Sequence, residues 1–221
     1  MAKRYYFKTG NIYIEKEIEF VYYNGFSLSQ KQKCIESMHK MIKEKETGSI
    51  LEISSKSPNY IGRLLSAFNL KVKIKNGEYF LENIFQSSKV FEFGGPYKDL
   101  LIKTPIEAKK DERIRNSGKL IHFDLDSIIY PIEPKTLFYD WIYCNAIHQN
   151  SALKEEIIKY EIFTDIEFNH NRSINCQARS AAIYVGLFKT GNLETALKSI
   201  ENFMKIVYRK ETIFEQITMQ I

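Results

Sequence analysis

The sequence predicts an α+β fold: a helix-dominated single domain with a small sheet. Three observations carry this. Residues 11–23, N-I-Y-I-E-K-E-I-E-F-V-Y-Y, are β-branched and aromatic and alternate in part through Ile12, Ile14, Ile18, Phe20 and Tyr22. After residue 78, apolar-periodic segments with helix caps dominate. The chain has 221 residues, 44% of them hydrophobic and 14% aromatic, which suffices for one full core and is short for two. The strand signals crowd the first 50 residues. The chain therefore reads as a strand-rich N-terminal extension with one helix, residues 1–50, packed on a main domain of residues 51–221.

In chain order, residues 4–7 and 11–23 suit strands, and Asn24-Gly25 is a turn signal. Ser29 opens a helix to about Lys45, with Gln32 completing a capping box and Ile35, Met38, Met41 and Ile42 as its apolar stripe. Residues 50–54 suit a strand, K-V-K-I-K a second, and Asn76-Gly77 a turn. Residues 80–91, F-L-E-N-I-F-Q-S-S-K-V-F, read as one helix ended by Gly94-Gly95-Pro96. A short helix fits 97–103. Thr104-Pro105-Ile106-Glu107 is a helix start with Thr as N-cap, Pro at the first position and Glu at the third. Further helices open at Glu133-Pro134 and Ser151, a loop spans 163–175, and a helix covers 177–190, stopped by Gly191. Asn192 caps one last long helix.

Composition narrows the function. The net charge of +5 is mild, and it suits contact with nucleic acid or a phosphate-bearing ligand without requiring it. Cys34, Cys144 and Cys176 are odd in number and widely spaced, which implies no disulfide framework. The four histidines, His39, His122, His148 and His170, form no metal-ligand spacing, so no metal or other cofactor is expected. No apolar leader and no run of 18 apolar residues is present, so the expectation is a cytoplasmic protein with no membrane contact.

Four constellations could carry chemistry. On the 80–91 helix, at about 100° per residue, Glu82, Gln86 and Lys89 fall within about 60° of one another. Spacing alone reads that side as a solvated polar face. The alternative is a carboxylate and an amine lining a pocket, able to do acid/base work, stabilise a developing cation or form a Schiff base. Residues 54–69, with Ser54, Lys56, Gly62, Ser66, Phe68 and Asn69, read either as a phosphate-cradling loop or as a plain polar one. Asn175, Gln177 and Arg179 sit at a helix start, where an anion would be favoured, or serve as a cap and a surface charge. Asp140-Trp141 and Glu167 are ligand candidates whose ordinary readings are a core aromatic and a lone loop carboxylate.

These segments resemble, in order, the blocks of the NADAR (YbiA-like) superfamily. G-R-L-L-S-A-F-N resembles its G-x-L-S-N-F-Y block, Y-F-L-E-N-I-F-Q-S-S-K-V-F its Y-x-S-V-E-H-A-Y-Q-A-x-K-F block, and T-P-I-E-A-K-K its P-x-E-A-K block. T-D-I-E-F-N and I-N-C-Q-A-R-S-A-A-I-Y-V are weaker matches to the family's L-I-E strand and later helix. S-A-F-N-L, F-E-F-G-G-P-Y, I-N-C-Q-A-R-S and the N-terminal S-L-S-Q-K-Q-K-C-I-E-S are similar to one branch, the NADAR antitoxins paired with DarT-type toxins that ADP-ribosylate guanine in DNA. Ala67 replaces the Asn of S-N-F, Leu81 replaces the Ser that caps the key helix, and N-H-N-R-S-I-N stands where the wider family has W-G-x-G. These departures fit the antitoxin branch.

The resemblance implies a NADAR fold, a catalytic domain at 51–221, and an ADP-ribosyl glycohydrolase that removes ADP-ribose from guanine in DNA. Glu82 would stabilise the oxocarbenium charge on ribose, and Lys89 would donate a proton, orient the ribose or capture its C1. Gln86 would hold a ribose hydroxyl. Ser54, Lys56 and Arg179 would meet the diphosphate, and Phe68 or Trp141 would stack on a base. Gly62, Ser66, Asn69, Asp140, Glu167, Asn175 and Gln177 complete the expected pocket. The implied partners are ADP-ribosylated DNA or an ADP-ribosyl nucleoside, and a DarT-type toxin encoded alongside. An N-glycosidase acting on a small ribosylated metabolite, as in riboflavin-pathway chemistry, and a non-catalytic ADP-ribose-binding module are the other readings.

Overall fold

The structure, a computed structural model, describes residues 1–170 and 173–208. Parts of the expected 163–175 loop and of the 51–221 domain, namely 171–172 and 209–221, lie outside the described residues. The fold is α+β. Strands β1 (Ala2–Thr9), β2 (Tyr13–Phe20), β3 (Ile50–Glu52) and β9 (Ile162–Thr164) form a sheet in the order β2-β1-β9-β3. β1 runs antiparallel to β2 and β9, and β3 parallel to β9.

Period-two alternation puts successive residues of this sheet on opposite faces. Tyr6, Ile18, Phe20 and Ile162 face helix α1 (Leu28–Lys43) and pack on its Cys34, Ile35, Met38 and Ile42. Phe7, Leu51 and Phe163 face the other way, into the main core with α6 (Leu137–His148) and α8 (Gln177–Lys189). α8 crosses so close to the β1–β2 turn that a Cβ on Gly186 would meet the Ile12 carbonyl oxygen at 1.7 Å. Only glycine permits that approach.

Between sheet and helices the chain runs through α2 (Tyr60–Leu64), the hairpin β4 (Lys71–Ile74)–β5 (Gly77–Phe80), α3 (Leu81–Ser87) and β6 (Lys89–Phe91). A 3₁₀ turn (Lys98–Ile102), α4 (Pro105–Lys110), α5 (Arg113–Asn116), β7 (Leu120–Leu125) and β8 (Ile128–Tyr130) follow. α7 (Ser151–Ile157), α9 (Leu193–Leu197) and α10 (Ile200–Val207) complete the described elements. Among the described residues no helix is long and apolar enough to cross a membrane.

Several sequence expectations change here. The 80–91 helix stops at Ser87, because Lys89–Phe91 pairs antiparallel with β7. The Ser87 and Ser88 hydroxyls donate back to the Ile84 carbonyl, the local competition that makes serine a weak helix interior. The 117–132 region holds a hairpin whose turn, Asp126-Ser127, has φ of 54° and 65°. That turn conformation is ordinarily signalled by Asn-Gly, so the hairpin leaves no strong sequence mark. The first helix is capped by Ser27, not Ser29, and α7 by Asn150, not Ser151. The final helix is two helices, broken where Ser199 caps α10. Residues 163–164, expected in the 163–175 loop, belong to the central strand β9, since Ile162, Phe163 and Thr164 are buried between β1 and β3. Thr104 caps α4 with the full reciprocal capping box, as its local sequence requires.

Candidate active site

α3 is buried along its whole length. The Asn83 amide anchors it by donating to the Leu100 and Lys103 carbonyls, each at 2.7 Å. It therefore cannot carry a solvated face. Glu82 and Gln86 are each 6% exposed and line a cavity of about 640 Å³, a size typical of small-ligand sites.

On that wall the three side chains form a row. Gln86 Nε2 donates to Glu82 Oε1 at 2.9 Å, and Lys89 Nζ donates to Gln86 Oε1 at 2.7 Å. The β6–β7 pairing sets Lys89 opposite Phe123 and fixes the backbone that carries the amine. Its Nζ lies 4.5 Å from the centre of the Phe85 ring. Burial pulls the Lys89 pKa down from 10.5 to about 8, with Glu82 opposing and Lys109 reinforcing the shift. An amine near 8 can hold or release a proton at neutral pH.

Opposite α3, the cavity is walled by Ser54, Ser55, Ser66, Ala67 and Phe68, and by Asp165, Glu167, Phe168, Asn175 and Gln177. Gln177 ties these strips together: its Oε1 accepts from Ala67 N at 2.7 Å, and its Nε2 donates to Ile53 O and to Asp165 Oδ2. Asp165 Oδ1 also accepts from the backbone N–H groups of Glu167 and Phe168. Burial, then the neighbouring buried Glu52, raise the Asp165 pKa. Glu52 is held by Thr164 Oγ1 at 2.6 Å and Ile166 N at 2.8 Å. Glu167 pairs with Lys31 of α1 at 3.1 Å. At the rim stand Lys109, Lys119 and Lys135, the first with its Nζ 5.1 Å from the Phe68 ring centre.

The cavity thus gathers nine of the sequence candidates: Ser54, Ser66, Phe68, Glu82, Gln86, Lys89, Glu167, Asn175 and Gln177. Six others stand outside its walls. Gly62 serves packing, since a Cβ there would meet the Glu52 carbonyl oxygen at 2.0 Å. The Asn69 amide donates to Arg63 O at 2.8 Å, and the Lys56 N–H is turned to Ser54 Oγ. Trp141 packs edge-on against Phe203. Asp140 is fully buried and takes Arg179 as its ion-pair partner at 2.7 Å, with Ser180 and Tyr208 hydroxyls donating to the same carboxylate. A buried carboxylate needs such partners, so Arg179 is committed internally rather than to a phosphate.

Sequence reasoning missed Asp165, Tyr139 and the rim lysines. Asp165 directly follows a strand that was read as loop. Tyr139 is the immediate neighbour of the chosen pair Asp140-Trp141, and on a helix one residue turns the side chain by about 100°.

The fold is α+β, and a carboxylate, an amide and a low-pKa amine stand in a row on the wall of its cavity. The chain belongs to the DarT1-associated NADAR antitoxins: the model of that family, NADAR-DarT1, matches residues 2–216. No curated protein matches the chain.

Proposed function

We propose that this antitoxin is an N-glycosidase that frees guanine bases in DNA from ADP-ribose, and so reverses the damage done by a DarT-type toxin. Residues 51–221 are the catalytic domain, and residues 1–50 are an extension that joins it through the shared sheet, β1 pairing with β9. The observation that carries the reading is the hydrogen-bonded row Glu82–Gln86–Lys89 on the cavity wall. As the bond between ribose C1 and the guanine amino nitrogen breaks, positive charge grows on the sugar. The Glu82 carboxylate faces that charge. Lys89, protonated below about pH 8, gives its proton to the departing nitrogen. Water adds to C1 and yields its proton to Glu82, leaving ADP-ribose and unmodified guanine. Gln86 bonds both groups and sets their separation.

The same cavity suits the rest of the ligand. Ser54, Ser55 and the start of α8 at Asn175 and Gln177 offer donors for a diphosphate, and the rim lysines supply positive potential. Phe68 offers a ring for base stacking. The test is incubation with ADP-ribosylated DNA while following release of free ADP-ribose; no release overturns the reading. Borohydride added during turnover separates two roles of Lys89. A trapped ADP-ribose adduct means that the amine attacks C1, and its absence with active protein means acid catalysis.

A further inference from the structure

Tyr139 is the one phenol on the cavity wall, and it is 5% exposed. Helix α6 presents it between two rings: Phe85 meets it edge-on at 5.1 Å and Tyr143 stacks at 6.2 Å. Two aromatic contacts on a helix leave the ring little freedom. Its hydroxyl makes no hydrogen bond to another described residue and is reachable from the cavity, unlike the sealed hydroxyl of Tyr184. Such a phenol can donate to whatever enters the cavity. Glu82 and Asp165 line the same cavity. Burial first, then Glu82, hold its proton well above the usual phenol range. The group is therefore an O–H donor on the cavity wall, available to a ligand atom.

The chemistry of that atom follows from what surrounds it. An atom held by both the phenol and the Glu82 carboxylate must accept from the first and donate to the second, because an ionised carboxylate only accepts. An ether oxygen cannot donate and an ammonium cannot accept. A hydroxyl does both. We infer that Tyr139 is a specificity-determining residue that grips, together with Glu82, the sugar hydroxyl next to the reacting carbon, so that the pocket takes a ribosyl and refuses a 2-deoxyribosyl group. This rests on the ADP-ribose reading of the pocket. A hydrogen bond to the hydroxyl beside C1 is also one that strengthens as charge grows at that carbon, so the same contact serves turnover.

The test is Tyr139→Phe with free ADP-ribose and its analogue lacking the 2-hydroxyl on the terminal ribose, both followed by calorimetry. The phenol has no partner to lose in the free protein, so the melting temperature should move by no more than about 2 °C. The wild type should prefer ADP-ribose by about tenfold, and Tyr139→Phe should bind ADP-ribose about tenfold more weakly and no longer discriminate. If the wild type binds ADP-ribose and the variant binds and discriminates equally, the role of Tyr139 is overturned and the pocket reading stands. If the wild type binds no ADP-ribose, the pocket reading itself falls.

Discussion

Two buried polar clusters share this core and are built on opposite plans. Around Asp140, the Arg179 guanidinium and the hydroxyls of Ser180 and Tyr208 close on one carboxylate that has no exposed surface. Around Glu82, a carboxylate, an amide and an amine are strung in a row, and all three line a cavity. The first spends its polarity on itself and pins α6 to α8. The second leaves carboxylate and amine facing a space of ligand size. A buried charge alone is thus no sign of a site; a buried charge with hydrogen-bonding capacity turned toward a cavity is.

The largest expected effect that separates the clusters is on stability. Arg179→Ala leaves Asp140 buried without its cation, which should cost about 3–5 kcal/mol in denaturant unfolding. A cost under about 1 kcal/mol would mean that the pair is not structural.

Lys89 should behave in the opposite sense. Its folded pKa of about 8 lies below the ordinary 10.5, so burying its charge opposes folding at neutral pH. Between about pH 8 and 10.5 the folded state has released the proton while the unfolded chain still binds it. Stability therefore rises with pH across that window, by on the order of 3 kcal/mol. Lys89→Met should be inactive yet more stable than the wild type at pH 7, with the gap closing toward pH 10.5. Paired denaturant midpoints at the two pH values check this, and a constant gap contradicts it. As a general acid, Lys89 should also give a rate that falls as pH passes about 8.

The smallest effect lies at the edge of the site. Thr104→Ala removes the capping box of α4, the helix that carries Lys109, and should cost about 1 kcal/mol. A thermal midpoint shift of a few degrees would register it, and no shift would show the cap to be redundant.

What the sequence disclosed follows the same division between local and distant causes. The α4 capping box is legible because four consecutive residues make it. The β4–β5 turn is legible because Asn76-Gly77 meets its backbone need locally. The end of α3 is not, since β6 exists only through pairing with a strand some 30 residues on. Helical spacing brought Glu82, Gln86 and Lys89 to one side by an argument that is only partly right. The first two share a helix, while Lys89 reaches the row from a strand. Spacing also favoured a solvated face, and burial on every side of α3 reverses that. Asp165 was invisible because the buried Glu52 that acts on it lies more than 100 residues away in the chain.

The central claim is that the open row is catalytic machinery, and Glu82→Gln tests it most directly. The substitution keeps shape and volume and changes only the carboxylate. Release of ADP-ribose from an ADP-ribosylated DNA oligonucleotide should fall by at least about 100-fold, with the unfolding midpoint within the range of an ordinary surface substitution. Full turnover by Glu82→Gln, in protein shown to be folded, would contradict the account.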